Sequence, residues 1–182
     1  MRELDHLVVA ARTLDEGAAW VQAKLGVAMA GGGKHGLMST HNRLLKLDAG
    51  RFLEVIAIDP DAAAPGRARW FGLDSSAMQA RLAQGPALIH WVDRTDDLEG
   101  ALADYPEPVE ILSLSRGSYR WRMGVPRDGR LPAQGAVPTL IQWDGPNPWP
   151  ALPDTGVSLL EFNAKGALSA VFATPAGTRT IP

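Results

Sequence analysis

The sequence predicts an α+β fold made of two βαβββ modules within one domain. Three observations support this prediction. The order strand, helix, three strands occurs twice in the first 145 residues, each helix begins with a capping pair, and each module opens with an apolar strand containing a histidine. The two modules are offset by about 85 residues. This period is too long for a solenoid repeat and indicates a duplicated module with pseudo-two-fold symmetry.

The first module is predicted to span residues 3–60. Its opening segment, residues 4–11, is apolar on both faces, as in a strand that is covered on both sides. Thr13 and Glu16 form a capping box that starts a helix, and Gly26 lies where that helix ends. The remaining strands are predicted in the glycine-rich segment 27–36, at 41–47 and at 52–58, with a hairpin signal at 48–50.

The second module is predicted to span residues 86–145, after a connecting loop and short helix at 61–85. Asp96 and Glu99 cap its helix, and Pro106 ends it. Its strands are predicted at 87–93, 109–115, 119–125 and 137–144. Two further strands within residues 157–174 are predicted as a hairpin appended to this module.

Composition excludes several classes of protein. The chain has 182 residues, a net charge of −2 and no cysteine, which excludes a disulfide scaffold, a thiolate metal site and a cysteine nucleophile. The near-neutral charge and scattered basic residues argue against nucleic-acid binding. No apolar run is long enough for a transmembrane helix, and the N-terminus lacks the layout of a signal peptide, so we expect a cytoplasmic protein without a membrane partner.

Four strongly apolar strands each carry one polar side chain near the middle. These residues are His6, Glu54, His90 and Gln142. A carboxylate between Leu53 and Val55 is costly to bury without a partner. If the first and last strands of each module are neighbours, the four side chains point at a shared cavity. Two imidazoles, one carboxylate and one amide oxygen would suit Ni, Mn, Fe, Co or Zn.

Each of these residues also has a structural interpretation. His6 could be a core histidine bonded to a backbone carbonyl, and Glu54 could pair with an arginine such as Arg43. For His90 and Gln142, a shift of one position along the strand would turn the side chain to the opposite face.

The sequence resembles the vicinal oxygen chelate superfamily, and within it the glyoxalase-like proteins. The segment Leu4-Asp-His6-Leu-Val-Val resembles the opening strand of that family, and Phe52-Leu-Glu54-Val-Ile resembles the strand that supplies a carboxylate ligand. Residues 32–42 and 69–74 resemble a glyoxalase-like subgroup. The resemblance implies a curved mixed sheet around a cavity, with a divalent metal bound by His6, Glu54, His90 and Gln142.

The sequence departs from the family pattern at Gln142, where glyoxalase sites present a second carboxylate. An amide cannot take a proton at neutral pH. The candidate catalytic residues are therefore Glu54, acting as both ligand and base, and Glu161, which lies in a similar apolar strand.

Two functions of different classes follow from these predictions. The first is a metal-dependent lyase, isomerase or dioxygenase that chelates vicinal oxygens of a small molecule. The second is a metal-free protein that binds a small molecule, and the convergence of His6, Glu54 and His90 would distinguish the two. The sequence does not decide between a monomer and a homodimer. The candidate substrate-binding residues are His35, Thr40, Asn42, Trp70, Arg120 and Trp121.

Overall fold

A computed structural model describes residues 1–182 and contains eleven strands and three α-helices. The first module comprises β1 (Glu3–Ala10), α1 (Leu14–Leu25), β2 (Ala30–His35), β3 (Thr40–Lys46) and β4 (Phe52–Ile58). The connecting segment contains α2 (Ser76–Leu82). The second module comprises β5 (Ala87–Arg94), α3 (Leu98–Ala103), β6 (Glu110–Arg116), β7 (Tyr119–Val125) and β8 (Thr139–Trp143). The C-terminal strands are β9 (Ser158–Asn163), β10 (Ser169–Thr174) and β11 (Gly177–Ile181).

The two modules form one eight-stranded mixed sheet in the order β2-β3-β4-β1-β5-β8-β7-β6. Strands β1 and β5 pair antiparallel at its centre, and in each module the first strand is parallel to the last. From the centre of the sheet outward, each module therefore has the same order: its first strand, its last strand, its third and its second. This arrangement confirms the predicted α+β fold with two βαβββ modules.

Local sequence signals set the ends of the elements in the first module. The hydroxyl of Thr13 accepts a hydrogen bond from the amide of Glu16 at 3.1 Å, which caps the start of α1. Gly26 ends that helix with a left-handed φ of 76°. In the hairpin between β3 and β4, Ala49 and Gly50 have φ values of 52° and 75°, as the two central residues of a type I′ turn require.

The sheet separates two hydrophobic cores. On the outer face, Leu7 and Val9 of β1 pack with Val21 and Leu25 of α1. On the inner face, the core is formed largely by the second module and by the connecting segment, whose Phe71 lies over the sheet. From Leu7 to Ala10, β1 is buried on both faces and is apolar throughout, whereas Asp5 and His6 are buried polar residues.

The C-terminal residues form a separate three-stranded sheet in the order β11-β10-β9, which differs from the predicted hairpin on the second module. Phe172 and Ile181 are fully buried in the outer core, where they pack with the residues of α1 and β1. Strand β11 escapes prediction because four of its five residues are exposed and Ile181 alone is buried. No helix of the chain is both long enough and apolar enough to cross a membrane.

The sheet curls so strongly that its two edge strands, β2 and β6, approach each other. The side chain of Arg116, at the end of β6, crosses this gap and donates a hydrogen bond to Asn42 on β3. The curl encloses a cavity on the inner face, bounded by residues of both modules and of the connecting segment.

Candidate functional site

The cavity combines a small polar cluster with an aromatic wall. Its free volume is about 30 Å³, which is room for roughly two water molecules. The polar side chains that line it are His6, His35, Asn42, Glu54 and Arg116, and the aromatic ones are Phe52, Trp70, Phe71, Trp121 and Trp143. Six of the predicted site residues are thus in this wall, namely His6, His35, Asn42, Glu54, Trp70 and Trp121.

An irregularity in β1 places two neighbouring polar side chains together. The pairing of β1 with β5 skips Asp5, between Leu4 and His6, so the regular alternation of faces is broken there. Oδ1 of Asp5 lies 2.6 Å from Nδ1 of His6. Both residues are buried, and the ring of His6 stacks on Phe52 with centroids 4.6 Å apart. The contact with Asp5 fixes the imidazole so that Nε2 is directed toward Glu54.

Glu54 is held in the cavity by an amide rather than by a cation. Oε1 of Glu54 accepts a hydrogen bond from Nδ2 of Asn42 at 2.6 Å, and Oε2 lies 3.7 Å from Nε2 of His6. Arg43, the alternative partner considered from the sequence, instead pairs with Asp15 at the surface. The buried carboxylate is therefore available to the cavity.

Asn42 connects the polar side chains from four strands. Its Nδ2 lies 3.3 Å from Nε2 of His35 in addition to its bond to Glu54. Its Oδ1 accepts from the backbone amide of Gly33 at 2.9 Å and from Nη1 of Arg116 at 2.6 Å. All of its hydrogen-bonding positions are used, so Asn42 orients the other groups.

His35 is a neutral polar group in the wall. Burial lowers the pKa of its imidazole to about 4, with an opposing effect from Glu54. Nδ1 of His35 lies 3.0 Å from the hydroxyl of Thr40, and the rings of Trp70 and Trp121 are nearly perpendicular to the imidazole. Thr40 is fully buried and acts on the cavity through His35.

The structure keeps His90 out of the polar cluster. Nε2 of His90 accepts a hydrogen bond from the backbone amide of Thr139 at 3.1 Å, and Nδ1 is buried without a partner. Phe71 packs against the ring. Burial lowers the pKa of His90 to about 3, with a smaller contribution from His6.

Three other predicted site residues lie away from the cavity. Gln142 faces outward, because Ile141 and Trp143 line the cavity on either side of it, and its Oε1 accepts from the amide of Leu98 and from Arg122. Glu161 is exposed on the separate C-terminal sheet. Arg120 is exposed in the β6–β7 hairpin, where it donates to two backbone carbonyls.

The four donors implied by the family resemblance do not fit a metal ion as the chain arranges them. His6 and Glu54 face one another, but Nε2 of His90 is occupied by a backbone amide and Gln142 lies on the other face. No group of three or more His, Cys, Asp or Glu side chains is placed to hold a metal ion. What the chain does assemble is an Asp5–His6–Glu54 series suited to proton transfer.

Sequence reasoning missed two polar residues of the site, Asp5 and Arg116. Asp5 precedes His6, and a regular strand would have turned its side chain to the outer face. Arg116 lies 74 positions from its partner Asn42, so no local pattern links them. The adjacent glycines at 32 and 33 are the one available signal, because a strand without side chains leaves space for another chain segment.

Comparison with known proteins supports the fold. A family model described as a glyoxalase-like domain matches residues 4–174. A sequence search of curated proteins found no match. Among solved structures, a hypothetical protein from Staphylococcus aureus superposes with a TM-score of 0.53 at 18% identity, over 79% of this chain. This chain covers 59% of the length of that protein.

Two methylmalonyl-CoA epimerases show the same likeness. A variant of the Streptomyces coelicolor enzyme, in complex with 2-nitronate-propionyl-CoA, has a TM-score of 0.51 at 18% identity, covering 80% of this chain and 96% of the other. A second epimerase, in complex with methylmalonyl-CoA and NH4+, has a TM-score of 0.52 at 18% identity, covering 81% and 98%. At such identities the likeness concerns the fold. Because the family model spans nearly the whole chain and the paired modules form the expected curved sheet, the chain belongs to the glyoxalase-like domain family.

Proposed function

We propose that this protein is an enzyme that moves a proton at a carbon atom adjacent to a carbonyl group of a small molecule. The observation that carries the proposal is the buried series Asp5–His6–Glu54, with distances of 2.6 Å and 3.7 Å between successive side chains. The possible reactions for such a site include isomerisation and lyase steps, since both begin with removal of a proton from carbon.

In this proposal Glu54 removes the proton. Its Oε2 is free of the Asn42 contact and faces Nε2 of His6. The 3.7 Å separation is longer than a hydrogen bond, but contacts of this kind often tighten when substrate binds. His6, oriented by Asp5, exchanges the proton with Glu54 so that it can return to a different position of the same molecule.

The cavity wall supports this chemistry by excluding water. Trp70 and Trp121 are buried around the polar cluster. A dry environment strengthens the electrostatic interaction between a developing negative charge on the substrate and the polar groups. Two of the structurally similar proteins are methylmalonyl-CoA epimerases, which is consistent with the proposal.

The role of a metal is part of the test, because the family resemblance implies one. His6 and Glu54 are the two predicted ligands that the structure brings together. No step of the proposed proton transfer is assigned to the metal, since the other two predicted donors are engaged elsewhere.

Exchange of substrate hydrogen for deuterium tests the proposal without knowledge of the product. Wild-type protein is incubated in D₂O with α-keto aldehydes, α-hydroxy acids and 2-oxo acids, and the loss of C–H signals is followed by NMR. The series is run with a chelator and with Ni, Mn, Fe, Co and Zn in turn. We expect Glu54→Gln to lower the exchange rate by about a hundredfold or more.

Glu161→Gln is the matched control, because Glu161 is an exposed carboxylate on the C-terminal sheet. It should exchange at the wild-type rate. If no compound exchanges faster with the wild type than with Glu54→Gln, the proposal is wrong. Binding of the same compounds without any exchange would instead favour a metal-free binding protein, a function that the aromatic wall also suits.

A further inference from the structure

Arg116 places an unpaired positive charge in the cavity wall. It is the one cationic side chain that lines the cavity, and it forms no ion pair. By contrast, Arg122 and Arg94, on other strands of the same sheet, pair with Glu99 and Glu3. Burial lowers the pKa of Arg116, with opposing effects from Glu54 and Tyr119, so the guanidinium has lost part of its hydration without gaining a carboxylate.

The fold provides a specific position for this side chain. A Cβ atom on Gly33 would lie 2.5 Å from Cδ of Arg116, so a side chain at position 33 would displace the arginine from its path into the cavity. Nη1 of Arg116 is fixed by Oδ1 of Asn42 at 2.6 Å. The centre of the Tyr119 ring lies 5.6 Å from Cζ of Arg116. The remaining N–H groups of the Arg116 guanidinium, which form a planar fork, can donate to another acceptor.

A second donor in the same wall also lacks a partner. The indole Nε1 of Trp70 is buried and makes no hydrogen bond, although Trp70 lines the cavity. Buried N–H groups in proteins are nearly always paired. Phe71, the next residue, has a φ of 58°, a left-handed conformation that is unfavourable for an aromatic residue and is often found at binding sites.

We propose that Arg116 binds the carboxylate of a small organic acid in this cavity, and that Trp70 donates a hydrogen bond to an oxygen of the same molecule. A carboxylate matches the guanidinium fork in both charge and geometry. The free volume of about 30 Å³ restricts the enclosed part of the ligand to a few atoms. The assignment rests on the proposed function, for which it names 2-oxo and 2-hydroxy acids as the substrate class.

Binding of paired acids and amides tests this assignment without turnover. Glycolate, pyruvate and benzoate are compared with glycolamide, pyruvamide and benzamide at matched ionic strength. Affinities are measured from the indole N–H signals in ¹⁵N NMR spectra, with Trp70→Phe used to assign the signal of Trp70. In the wild type we expect at least one acid to bind about tenfold more tightly than its amide and to shift the Trp70 signal.

Arg116→Gln should remove this preference, whereas Arg120→Gln should retain it. Arg120 is the matched control because it lies in the same hairpin, is exposed and does not line the cavity. If Arg116→Gln does not fold, Arg116→Lys keeps the charge but loses the fork, and should retain a weakened preference. Equal binding of acids and amides, no binding of any probe, or a preference that persists in Arg116→Gln would overturn the assignment.

The two proposals fail in different ways. An acid preference that depends on Arg116, without deuterium exchange, would refute the proposed reaction and leave the carboxylate site standing. Exchange that depends on Glu54 but proceeds equally with acids and neutral carbonyl compounds would refute the carboxylate site alone.

Discussion

Oδ1 of Asp5 lies 2.6 Å from Nδ1 of His6, although the two residues are neighbours in a β-strand. The other oxygen, Oδ2, accepts from Nε1 of Trp143 at 3.0 Å and from Nδ2 of Asn147 at 3.3 Å. Asp5 therefore holds the imidazole and ties the first module to the loop that follows the second. One buried carboxylate links the geometry of the site to the docking of the two modules.

The substitution Asp5→Asn should weaken both functions of this carboxylate. The carboxylate of Asp5 has two acceptor oxygens, whereas the amide of asparagine has one oxygen and one N–H₂ group. In the variant, the N–H₂ group would therefore face at least one of the donors His6, Trp143 and Asn147. We expect a loss of about 1–3 kcal/mol in the free energy of unfolding, since buried donors are left without an acceptor. We also expect the rate of deuterium exchange to fall by about tenfold or more, because His6 is no longer oriented.

Urea denaturation and exchange kinetics measure these two effects. Asp48→Asn serves as a comparison, because Asp48 is a partly exposed aspartate in the hairpin away from His6. If Asp5→Asn exchanged deuterium at the wild-type rate over the whole pH range, the contact between Asp5 and His6 would have no part in the reaction.

Metal binding is predicted to be weak. The structure brings together His6 and Glu54, whereas structural and catalytic metal sites generally use three or four protein ligands. On addition of Ni, Mn, Fe, Co or Zn, the rise in Tm of the wild type should not exceed that of the His6→Ala, Glu54→Ala double variant. A stoichiometric metal in purified wild-type protein that is lost in the double variant would support the metal site implied by the resemblance.

Asp93 is expected to make the stability of the fold depend on pH. Burial raises its pKa to about 6, with Arg2 opposing the shift and Asp5 adding to it. Between the ordinary pKa of an aspartate, about 3.9, and about 6, the folded state binds more protons than the unfolded state. The contribution of protonated Asp93 to the stability of the folded state is therefore fully present below about pH 4 and is lost as the pH rises through about 6.

Asp93→Asn removes this dependence. Because the side chain is partly exposed, we expect a gain of about 1 kcal/mol in the free energy of unfolding at pH 7 and no gain at pH 3.5. Urea denaturation at the two pH values measures the difference. An equal effect of the substitution at both would contradict the assignment of the shift to Asp93.

The β3–β4 hairpin offers a stabilising substitution. Ala49 has a φ of 52° in the turn, where an alanine is strained and an asparagine is accommodated. Ala49→Asn should raise the free energy of unfolding by about 0.5–1 kcal/mol. Ala49→Val should lower it, since a β-branched residue is still less suited to positive φ. Thermal unfolding of both variants checks the sign, and equal Tm values would exclude strain at this turn.

The module pattern could be predicted because its signals are local. Thr13 with Glu16 and Gly26 mark the ends of α1 through contacts within a few residues, as found. The apolar strand around Glu54 was predicted at 52–58 and observed at Phe52–Ile58. His6 and Glu54 face each other because β1 and β4 are adjacent and parallel, as the module arrangement requires.

The orientation of side chains in the second module could not be predicted in the same way. Strand β8 is apolar on both faces at Leu140 and Ile141, so alternation does not decide whether Gln142 or Trp143 faces the cavity. The packing of Phe71 over His90 depends on the connecting segment, which has no regular period. These positions were decided by long-range packing.

The sequence by itself determined the two modules, the ends of α1, the turn between β3 and β4 and the presence of His6 and Glu54 in buried strands, because hydrophobic period and capping act over short distances. The cap of α3 was predicted at Asp96, one residue before the Asp97 that the structure shows. The tertiary structure decided which of the polar side chains form a site. The bulge at Asp5, the outward face of Gln142 and the reach of Arg116 to Asn42 arise from strand register and from the closure of the sheet. These depend on contacts between residues far apart in the chain, which a single sequence does not encode in any local pattern.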